Sequence, residues 1–551
     1  MLYTVGYMTW VYQGLGDALR TEGITHMFSL MGDGNLELLA DLAERVELPL
    51  IHARHEQGAV AMADGYARFT GRVGVATVTH GPGLSNTATS LLTAAAARSP
   101  LVLVAADTAA ADVHHPQAFD QVAFGRASGA RVQRLRAPAT LGADVAEAFR
   151  HARQERGPVV LNAPVDVLRA PLPEAAAAYT PASLGRLPAT PEPAAIDAAV
   201  EALRLAQRPA ILAGVGVVLS DDAEAPLARL VRRLGAPVAT TLMAHGLLAD
   251  APSAVGAAGL LGAGKGSAVL RDADCVLAVG ASLNPWTTDG GLAPDAVLLH
   301  VDVDPAAIGR HVPAAVALVG DAGLTMRALL DRLDGPLDRR RAWEPGPRPG
   351  GDDTGSPAGD GLPPREVIAV LDAALPARRL LVVDAGHFSG FAQQGLRSSH
   401  ARDYTFTHQF GAIGQGLGIA LGAAVARPGE RVTAILGDGC LLMSVAELDT
   451  LARYRLPVTV LVMNDRSYGQ ERHALAAKGF DTRAAVFATP ELSALAAAFG
   501  IAGAPVDTRE ALAALPATLA EADGPLLVDV RIDTGIQNRS FDDIASRLRG
   551  A

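Results

Sequence analysis

Residues 431–469 read RVTAILGDGCLLMSVAELDTLARYRLPVTVLVMNDRSYG, and this stretch decides the fold. One apolar run, 432–436, leads into Gly-Asp-Gly, and a second, 458–463, leads into Asn-Asp. Between the two runs, apolar residues recur at three- and four-residue steps, which predicts a helix. The stretch therefore predicts two strands joined by a helix, with an acidic turn after each strand.

Two local signals mark the ends of this predicted helix. Ser444 and Glu447 have the spacing of a capping box, in which both side chains bind backbone N–H groups at the start of a helix. Pro457 cannot continue a helix and marks its end. Together the signals predict one helix between the two strands.

The two acidic turns place Asp438 and Asp465 at the ends of neighbouring strands. The strands of a β–α–β unit are parallel, so both turns emerge at the same edge of the sheet, where open α/β sheets hold ligands. Two oxygen donors on adjacent loops suit a hard cation such as Mg²⁺, which keeps coordination sites for substrate phosphates. The alternative is a nucleotide fold in which Gly-Asp-Gly is only a tight turn.

The composition of the whole chain narrows the class of protein. At 551 residues the chain is long enough for three domains, and 49% hydrophobic with 19% charged residues indicates a folded protein. The formal net charge of −11 argues against nucleic acid as a partner, because a phosphate backbone requires a basic surface. Two cysteines, Cys275 and Cys440, are too few for a disulfide framework and are typical of a reducing compartment.

Neither a membrane segment nor a leader is predicted. Charged residues or glycine interrupt every apolar run before it reaches spanning length. The first 20 residues lack a basic leader and a small-residue cleavage site, so they do not resemble a signal peptide. We expect a cytoplasmic protein with no membrane partner, and an enzyme.

Apolar runs that alternate with Ala-rich helical segments predict an α/β protein of three doubly wound parallel-sheet domains. The first domain, 9–168, contains the runs ITHMFSL, PLIHAR, VGVATVTHG, PLVLVAA and GPVVLNAP. The second, 195–334, contains PAILAGVG, APVATTL, CVLAVGA and VLLHVDVD, and the third, 365–535, starts with LLVVDAG. Segments at 170–193 and 335–364 that are rich in Pro with Ala or Gly are predicted linkers.

The Gly-Asp-Gly motif, the 27 positions from Asp438 to Asp465, and the ending N-D-x-x-Y-G resemble a known cofactor motif. It is the thiamin diphosphate motif of the family of acetolactate synthase, pyruvate decarboxylase and benzoylformate decarboxylase. The resemblance implies that Asp438, Asp465 and the carbonyl of Ser467 hold Mg²⁺, which in turn holds the cofactor diphosphate. Asp465 departs from the usual Asn of the family, because it keeps an oxygen ligand but adds a negative charge.

The resemblance covers the whole chain, since motifs in separate domains follow in the expected order. It implies that the three predicted domains are the pyrimidine-binding, middle and diphosphate-binding domains of the family. Overall the chain is most similar to acetolactate synthase-like proteins.

The segment ARHEQGAVAMADGYARFTGR, residues 53–72, carries the most specific catalytic prediction. It is similar to the family segment whose Glu activates the cofactor through its aminopyrimidine ring, which implies that role for Glu56. A helix amino end favours the ionised carboxylate, whereas burial against an apolar ring opposes it. The alternative is a Glu of purely local value at the start of a helix.

Four further side chains of the first domain are candidate acids or bases. Asp33 precedes Glu56 by 23 positions, a spacing that resembles pyruvate decarboxylases, in which the matching Asp protonates the intermediate. His80, in THGPGLSN, is either a proton shuttle or a polar loop residue. His114 and His115 resemble the paired histidines of the same enzymes. The alternatives are a turn role for Asp33 and a solvated loop for the two histidines.

Two positions bear on the product. Glu471 follows Asp465 by six positions, where pyruvate decarboxylases have an acid; a surface Glu is the alternative. Together with Asp33 it favours protonation and aldehyde release. Trp286, in VGASLNPWTTDGG, stands where acetolactate synthases have an Arg for the carboxylate of a second 2-oxo acid. Trp cannot supply that bidentate contact, which favours an apolar or aromatic acceptor, or none.

Further cofactor contacts are implied on the loops that follow several strands. Glycines allow close backbone approach, a helix amino end can bind phosphate, and Ile413 matches the residue that bends the cofactor. The implied positions are Gly81, Pro82, Gly83, Asn86, Gly386, His387, Phe388, Ser389, Ile413, Gly437, Asp438, Gly439, Cys440, Asp465, Tyr468 and Gly469. The glycines at 214–216 and 261–267 are weak signals, more typical of turns, so FAD is not assigned.

The resemblance implies an enzyme that uses thiamin diphosphate and Mg²⁺ to decarboxylate a 2-oxo acid. The resulting acyl-anion equivalent is expected to pass to the carbonyl of an aldehyde or ketone acceptor. The first alternative is a simple decarboxylase that releases an aldehyde. An acyloin-cleaving lyase and a non-catalytic protein that binds thiamin diphosphate are others, although mere binding needs no Glu56. The family also implies a homodimer or homotetramer with active sites at the subunit interface.

Overall fold

The computed structural model describes residues 8–181, 188–262, 264–289, 291–335, 343, 353–538 and 540. It contains three six-stranded sheets whose paired strands are parallel, with helices in the connections. The predicted α/β class with three parallel sheets is therefore confirmed. Most of the predicted second linker, residues 336–342 and 344–352, lies outside the described residues.

All five apolar runs named for the first sheet form strands. In chain order its elements are α1 (Val11–Thr21), β1 (Met27–Ser29), α2 (Leu36–Glu44), β2 (Leu50–His52), α3 (Glu56–Thr70), β3 (Gly74–Val78), α4 (Pro82–Ser85), α5 (Ala88–Ala96), β4 (Leu101–Asp107), α6 (Gln121–Ala127), β5 (Arg131–Arg134), α7 (Leu141–His151), β6 (Pro158–Pro164) and α8 (Val165–Leu168). The strand order is β2-β1-β3-β4-β6-β5. Strands β2, β1, β3 and β4 are thus neighbours, and the loops after them share one edge.

The middle sheet contains the four runs named for it and two more strands at its edges. Its elements are α9 (Pro193–Leu205), β7 (Pro209–Ala213), α10 (Val215–Leu219), α11 (Glu224–Leu234), β8 (Val238–Thr240), β9 (Ala254–Ala257), α12 (Lys265–Asp272), β10 (Cys275–Val279), α13 (Pro285–Thr288), β11 (Val297–Asp302), β12 (Val316–Val319) and α14 (Ala322–Arg332). The strand order is β12-β11-β10-β7-β8-β9. Strands β7 to β9 run towards one edge and β10 to β12 towards the other, so the topological switch point lies between β7 and β10.

The third sheet contains the opening stretch at its centre. Its elements are α15 (Pro364–Ala374), β13 (Leu380–Val383), α16 (Phe388–Gly395), β14 (Tyr404–Phe406), α17 (Gly416–Ala426), β15 (Val432–Gly437), α18 (Asp438–Met443), α19 (Glu447–Arg453), β16 (Val458–Asn464), α20 (Gly469–Ala477), α21 (Leu492–Ala498), β17 (Ala502–Val506), α22 (Arg509–Glu521) and β18 (Leu526–Arg531). The strand order is β14-β13-β15-β16-β18-β17, with β15 beside β16 as predicted.

The predicted capping box is wrong, and the predicted single helix is two short ones. Helix α18 begins at Asp438, directly after the strand, and α19 begins at Glu447. The Ser444 hydroxyl donates back to the carbonyl of Cys440, 3.3 Å away, so it does not cap α19. The Glu447 carboxylate instead accepts hydrogen bonds from backbone N–H groups of the first sheet's unit.

Three strands of the first and middle sheets were not predicted from apolar runs, and all three lie at the edge of a sheet. They are β5, β9 and β12, with the sequences RVQR, AVGA and VALV. Each has exposed or half-buried residues, whereas the central strands are almost fully buried. The sequence RVQR is too polar for hydrophobic patterning to reveal it, whereas AVGA and VALV are apolar but only four residues long.

Helices α3 and α17 pack closely and join the first sheet to the third. The Cα of Gly65 faces the carbonyl of Ile419, and the Cα of Gly422 faces the carbonyl of Met62. A Cβ at either glycine would overlap that carbonyl, so only glycine allows this approach. One continuous buried core accordingly contains residues of both sheets.

Cys275 and Cys440 are both buried, and no disulfide joins them. Within the described ranges, no helix is long and apolar enough to cross a membrane.

Candidate functional site

The first sheet gathers four predicted side chains at one edge. Asp33 follows β1, Glu56 follows β2, His80 follows β3 and His115 follows β4. These four strands are adjacent and parallel, so the loops after them emerge together. This edge is therefore the part of the first sheet that can offer acids and bases to a ligand.

Glu56 is the first residue of α3 and is partly buried. Its Oε2 accepts a hydrogen bond of 3.0 Å from Nδ2 of Asn86. His55 caps the helix, because its Nδ1 accepts from the N–H of Gln57. Asn86, predicted to contact the cofactor, thus orients the predicted activating carboxylate.

Asp33, His80 and His115 form a cluster. Nε2 of His80 lies 3.8 Å from Oδ2 of Asp33, and the rings of His80 and His115 have centroids 5.0 Å apart. His80 is buried, and its Nδ1 has no hydrogen-bond partner among the described residues. Arg169 donates to the carbonyl and the carboxylate of Asp33, at 2.9 and 3.3 Å. The cluster can hold and move a proton at the edge of the first sheet.

Two predicted side chains lie apart from this cluster. His114 is exposed on the loop that contains His115. Glu471 is exposed in the first turn of α20, in the unit of the third sheet. Both side chains are exposed in the single chain, and their predicted roles remain predictions.

The glycine loop after β3 is held by a residue that the sequence did not reveal. Gly81 has a φ of +62°, and a Cβ there would lie 2.6 Å from Gln117. The Gly81 N–H donates to Oε1 of Gln121, whose Nε2 donates to the carbonyl of Ala106, both at 2.8 Å. Pro82 then begins the short helix α4. Gln121 lies 40 positions beyond Gly81, and no local pattern marks it.

The acidic pair lies at the ends of β15 and β16, which are neighbours. Asp438 is 1% exposed, and its Oδ2 accepts from the hydroxyl of Thr489 at 2.8 Å. Oδ1 of Asp465 accepts from the N–H of Ser467 at 2.9 Å. Burial raises the pKa of the Asp438 carboxyl to about 6, and burial together with Asp438 raises the pKa of the Asp465 carboxyl to about 7.

This donor set fits a cation. Two adjacent carboxylates with raised pKa values would be stabilised in their charged form by a positive ion between them. Among the described residues, no group of three His, Cys, Asp or Glu side chains could hold a metal, so a third protein ligand would be a backbone carbonyl or an uncharged side-chain oxygen. The Asn464 side-chain amide donates to Asp529 at 2.8 Å, so Asn464 is already engaged elsewhere. Asp465 is then the residue of this turn whose side chain is available as a ligand.

Small residues keep space around the acidic pair. A Cβ at Gly469 would overlap Oδ2 of Asp465, so this glycine makes room for the carboxylate. The ring of Tyr468 lies over Gly439, 3.1 Å from where a Cβ would stand, and is 45% exposed. Ser467 has a buried hydroxyl oxygen with no hydrogen-bond partner among the described residues.

Asp384, at the end of β13, joins two predicted cofactor loops and was not recognised from the sequence. Its carboxylate accepts from Ala385 N and Thr407 Oγ1, and from Gly414 N and Gly416 N at 3.0 Å each. Burial raises the pKa of this carboxyl, while the four hydrogen bonds oppose the rise. Asp384 directly follows a strand, as Asp438 does, and this position in the sequence could have identified it as a candidate site residue.

The loop that begins α16 presents backbone groups near the acidic pair. His387 is the N-cap residue of α16, and its Nε2 accepts from the N–H of Asn538 at 3.0 Å. The Ser389 hydroxyl donates to the carbonyl of Gly386 at 2.7 Å, so its hydrogen is already used. The amino end of this helix can bind an anion through backbone N–H groups.

Three other predicted contacts pack beneath this loop. The Phe388 ring lies against Gly437, 3.0 Å from where a Cβ would stand. The Cys440 thiol donates to the carbonyl of Ala385 at 3.2 Å, and burial raises its pKa. Ile413 is partly buried against the core. The contacts of Phe388 and Cys440 hold the loop before α16 against the end of β15 and the start of α18.

The glycine signals of the middle sheet have a packing explanation. Gly214 and Gly216 lie against Gly280 at the end of β10, where any Cβ would overlap the backbone. A cleft of 1040 Å³ lies beside them, between the first and middle sheets and apart from the acidic pair. Trp286 is 51% exposed on α13.

Three family models match the chain one after another. They describe thiamine pyrophosphate enzymes, with the N-terminal TPP binding domain at residues 9–124, the central domain at 196–329 and the C-terminal TPP binding domain at 384–530. The predicted order of domains is therefore the order of the matches.

Curated relatives match over most of their length. An acetolactate synthase large subunit from Parasynechococcus marenigrum is 32% identical over 95% of this chain and 87% of its own. An acetolactate synthase from Arthrospira platensis is 30% identical over 94% and 93%. A sulfoacetaldehyde acetyltransferase from Castellaniella defragrans is 30% identical over 83% and 81%.

The buried His387 predicts a pH-dependent stability. Burial, with His473 and Arg472 nearby, lowers the pKa of His387 to about 3. The unfolded chain binds this proton at a higher pH, so stability is present above about 6.5 and is lost as the pH falls towards about 3. His387→Gln, which keeps an acceptor for Asn538, should lose less stability on acidification, by roughly 2 kcal/mol at pH 4–5.

Denaturant titrations over this pH range check the prediction. His311→Gln, which changes an exposed histidine, serves as the control and should follow the parent chain. Equal acid slopes for His387→Gln and the parent chain would contradict it.

Proposed function

The chain belongs to the family of thiamine pyrophosphate enzymes, and on that premise we propose that it decarboxylates a 2-oxo acid and transfers the acyl unit to an acceptor carbonyl. The observation that carries the proposal is the near full-length likeness to an acetolactate synthase at 32% identity. A sulfoacetaldehyde acetyltransferase, whose name describes acyl transfer, is similar over 83% of the chain.

The acidic pair and the loop before α16 would hold the cofactor. Asp438, Asp465 and the carbonyl of Ser467 are the proposed ligands of Mg²⁺, which suits oxygen donors and phosphate. The backbone at the amino end of α16 and Mg²⁺ would neutralise the diphosphate. When bound, thiamin diphosphate supplies a nucleophilic carbon and an electron sink for the loss of CO₂.

Glu56 would exchange a proton with the aminopyrimidine ring. Its carboxylate lies at the amino end of a 15-residue helix, where backbone N–H groups that no helical carbonyl accepts point outwards. The hydrogen bond from Asn86 fixes one of its oxygens, so the carboxylate is oriented before a ligand arrives. Such orientation is what a group that transfers a proton in each cycle requires.

Simple decarboxylation to an aldehyde is the second candidate, and one observation favours it. Asp33, His80 and His115 meet at the edge of the first sheet, and the ring of His80 is buried. This group could deliver a proton that ends the reaction without an acceptor.

The middle sheet bears on the acceptor. Trp286 offers an apolar surface where a carboxylate-binding Arg would be expected in acetolactate synthases. We infer a small carbonyl acceptor that carries no carboxylate at that place. Trp286 would then contact its apolar part.

We infer that the active chain is at least a homodimer, in a reducing compartment such as the cytoplasm. Apolar side chains close in sequence to the acidic turns are exposed in the single chain, among them Met443 (59%) and Tyr468 (45%). A second copy that covered them would bury apolar surface. Equilibrium sedimentation should give a dimer or tetramer, and an active monomer would refute the inference.

Product analysis tests the proposed reaction. The purified chain, with thiamin diphosphate and Mg²⁺, is incubated with a panel of 2-oxo acids, with and without aldehydes or ketones. A chiral hydroxyketone that forms only with both substrates supports the proposal, whereas CO₂ and an aldehyde alone support the second candidate. Glu56→Gln should bind the cofactor normally and lose roughly 10²–10⁴-fold in turnover; full turnover would overturn the role of Glu56.

Removing one acid tests the metal assignment. Asp438→Ala should weaken Mg²⁺-dependent binding of thiamin diphosphate by more than roughly 100-fold, since changes behind a ligand alone cost about 10–100-fold. Asp449→Ala, which removes a partly exposed acid of the next helix, should leave binding unchanged. Titration calorimetry measures both, and normal binding by Asp438→Ala would exclude Asp438 as a ligand.

A further inference from the structure

Helix α19 of the third sheet's unit holds the residues that precede Glu56. The backbone N–H groups of Arg54 and His55 both donate to Oε1 of Glu447, each at 3.0 Å. Glu447 is 2% exposed, so water does not compete for this oxygen. The two peptide groups directly ahead of Glu56 are therefore fixed by one carboxylate from another part of the chain.

The contact continues along both segments. The Thr450 hydroxyl donates to the second oxygen of Glu447 at 2.6 Å and lies 3.3 Å from the carbonyl of His52. The His52 N–H donates to the hydroxyl of Tyr454 at 2.9 Å. We call the whole set, His52, Arg54 and His55 against Glu447, Thr450 and Tyr454, the α3 clasp.

Glu447 dominates the clasp energetically. A buried carboxylate is costly unless hydrogen bonds satisfy it, and hydrogen bonds to a charged group are about twice as strong as neutral ones. The neighbouring ion pair between Arg54 and Asp449, at 2.6 Å, is partly exposed to water, and ion pairs at the surface contribute little to stability. Loss of Glu447 would leave two peptide N–H groups without their acceptor, so the segment would relax.

The first turn of α3 is shaped to receive this carboxylate. A Cβ at Gly58 would overlap Oε1 of Glu447, so the glycine provides the space. Gly58 lies two positions after Glu56, and Arg54 lies two positions before it. The carboxylate of Glu447 thus contacts the backbone on both sides of Glu56.

We propose that Glu447 is the positioning residue of Glu56, because its carboxylate fixes the backbone from which the activating side chain projects. This inference rests on the proposed function of Glu56. Glu447 acts through the peptide groups of Arg54 and His55 and does not itself exchange a proton with the cofactor. The resulting order in the chain without cofactor removes part of the entropy cost of aligning Glu56.

The test compares Glu447→Ala with Glu447→Gln. The amide oxygen of Gln can accept from the same two N–H groups, and its NH₂ can donate to Thr450. Glu447→Ala should raise amide hydrogen exchange at Arg54 and His55 in the chain without cofactor. With saturating thiamin diphosphate and Mg²⁺, it should slow deuterium exchange at C2 of the bound cofactor by about 10–100-fold, the scale expected for a misplaced group.

Glu447→Gln should restore most of both signals, and cofactor affinity should change little in either variant. Gly58→Ala gives an independent test, because it leaves Glu447 in place but puts a methyl group where Oε1 lies; it should reproduce the loss. Asp449→Ala, which removes the partly exposed ion pairs to Arg54 and Arg453 but leaves Glu447 in place, is the matched control and should behave as the parent chain.

Two results would overturn the inference. One is a folded Glu447→Ala chain with parent rates of amide and C2 exchange. The other is an equal loss in Glu447→Gln and Glu447→Ala, which would assign the effect to the charge of Glu447. The Glu56→Gln variant distinguishes failure of this inference from failure of the proposed function. If Glu56→Gln keeps fast C2 exchange, the proposed role of Glu56 is wrong. If Glu56→Gln slows C2 exchange but the Glu447 variants do not, only the positioning role of Glu447 is wrong.

Discussion

The close packing of α3 on α17 is the interaction on which the site depends. Glycines at 65 and 422 let each helix backbone reach the carbonyls of the other, and one buried core runs through both sheets. Helices packed this closely have little freedom to shift relative to each other, because protein interiors are packed as densely as organic crystals. The edge that carries Glu56 is therefore held at a fixed place relative to the unit that carries Asp438.

Buried acids in this protein are stabilised in two different ways. Glu447 and Asp384 accept several hydrogen bonds from backbone N–H and hydroxyl groups, which offset the cost of burial. Burial raises the pKa of all four carboxyls, but Asp438 and Asp465 accept fewer such bonds, and the charge of Asp438 adds to the rise at Asp465. The first arrangement suits a structural role, and the second suits acids that await a cation.

Much of this could be predicted from the sequence, for identifiable physical reasons. Central strands such as β15 and β16 are buried on both faces, so each appears as a continuous apolar run that ends at a turn. Edge strands such as β5 carry polar residues and gave no such signal. The clasp could not be foreseen, because Glu447 had a plausible local partner in Ser444 and its actual partners lie 393 and 392 positions away. Gln121 and Thr489 were missed for the same reason, since their partners are distant in sequence.

The sequence distance across the clasp has a consequence for the synthesis of the chain. Arg54 leaves the ribosome 393 residues before Glu447, which at roughly 5–20 residues per second corresponds to about 20–80 s. For most of that interval, until α17 has been made, the glycine face of α3 has no partner from the third unit and presents bare backbone and apolar surface. The first unit therefore stays incomplete until the third unit has been made, so substitutions on this face that hinder the later packing can lower the yield of folded protein.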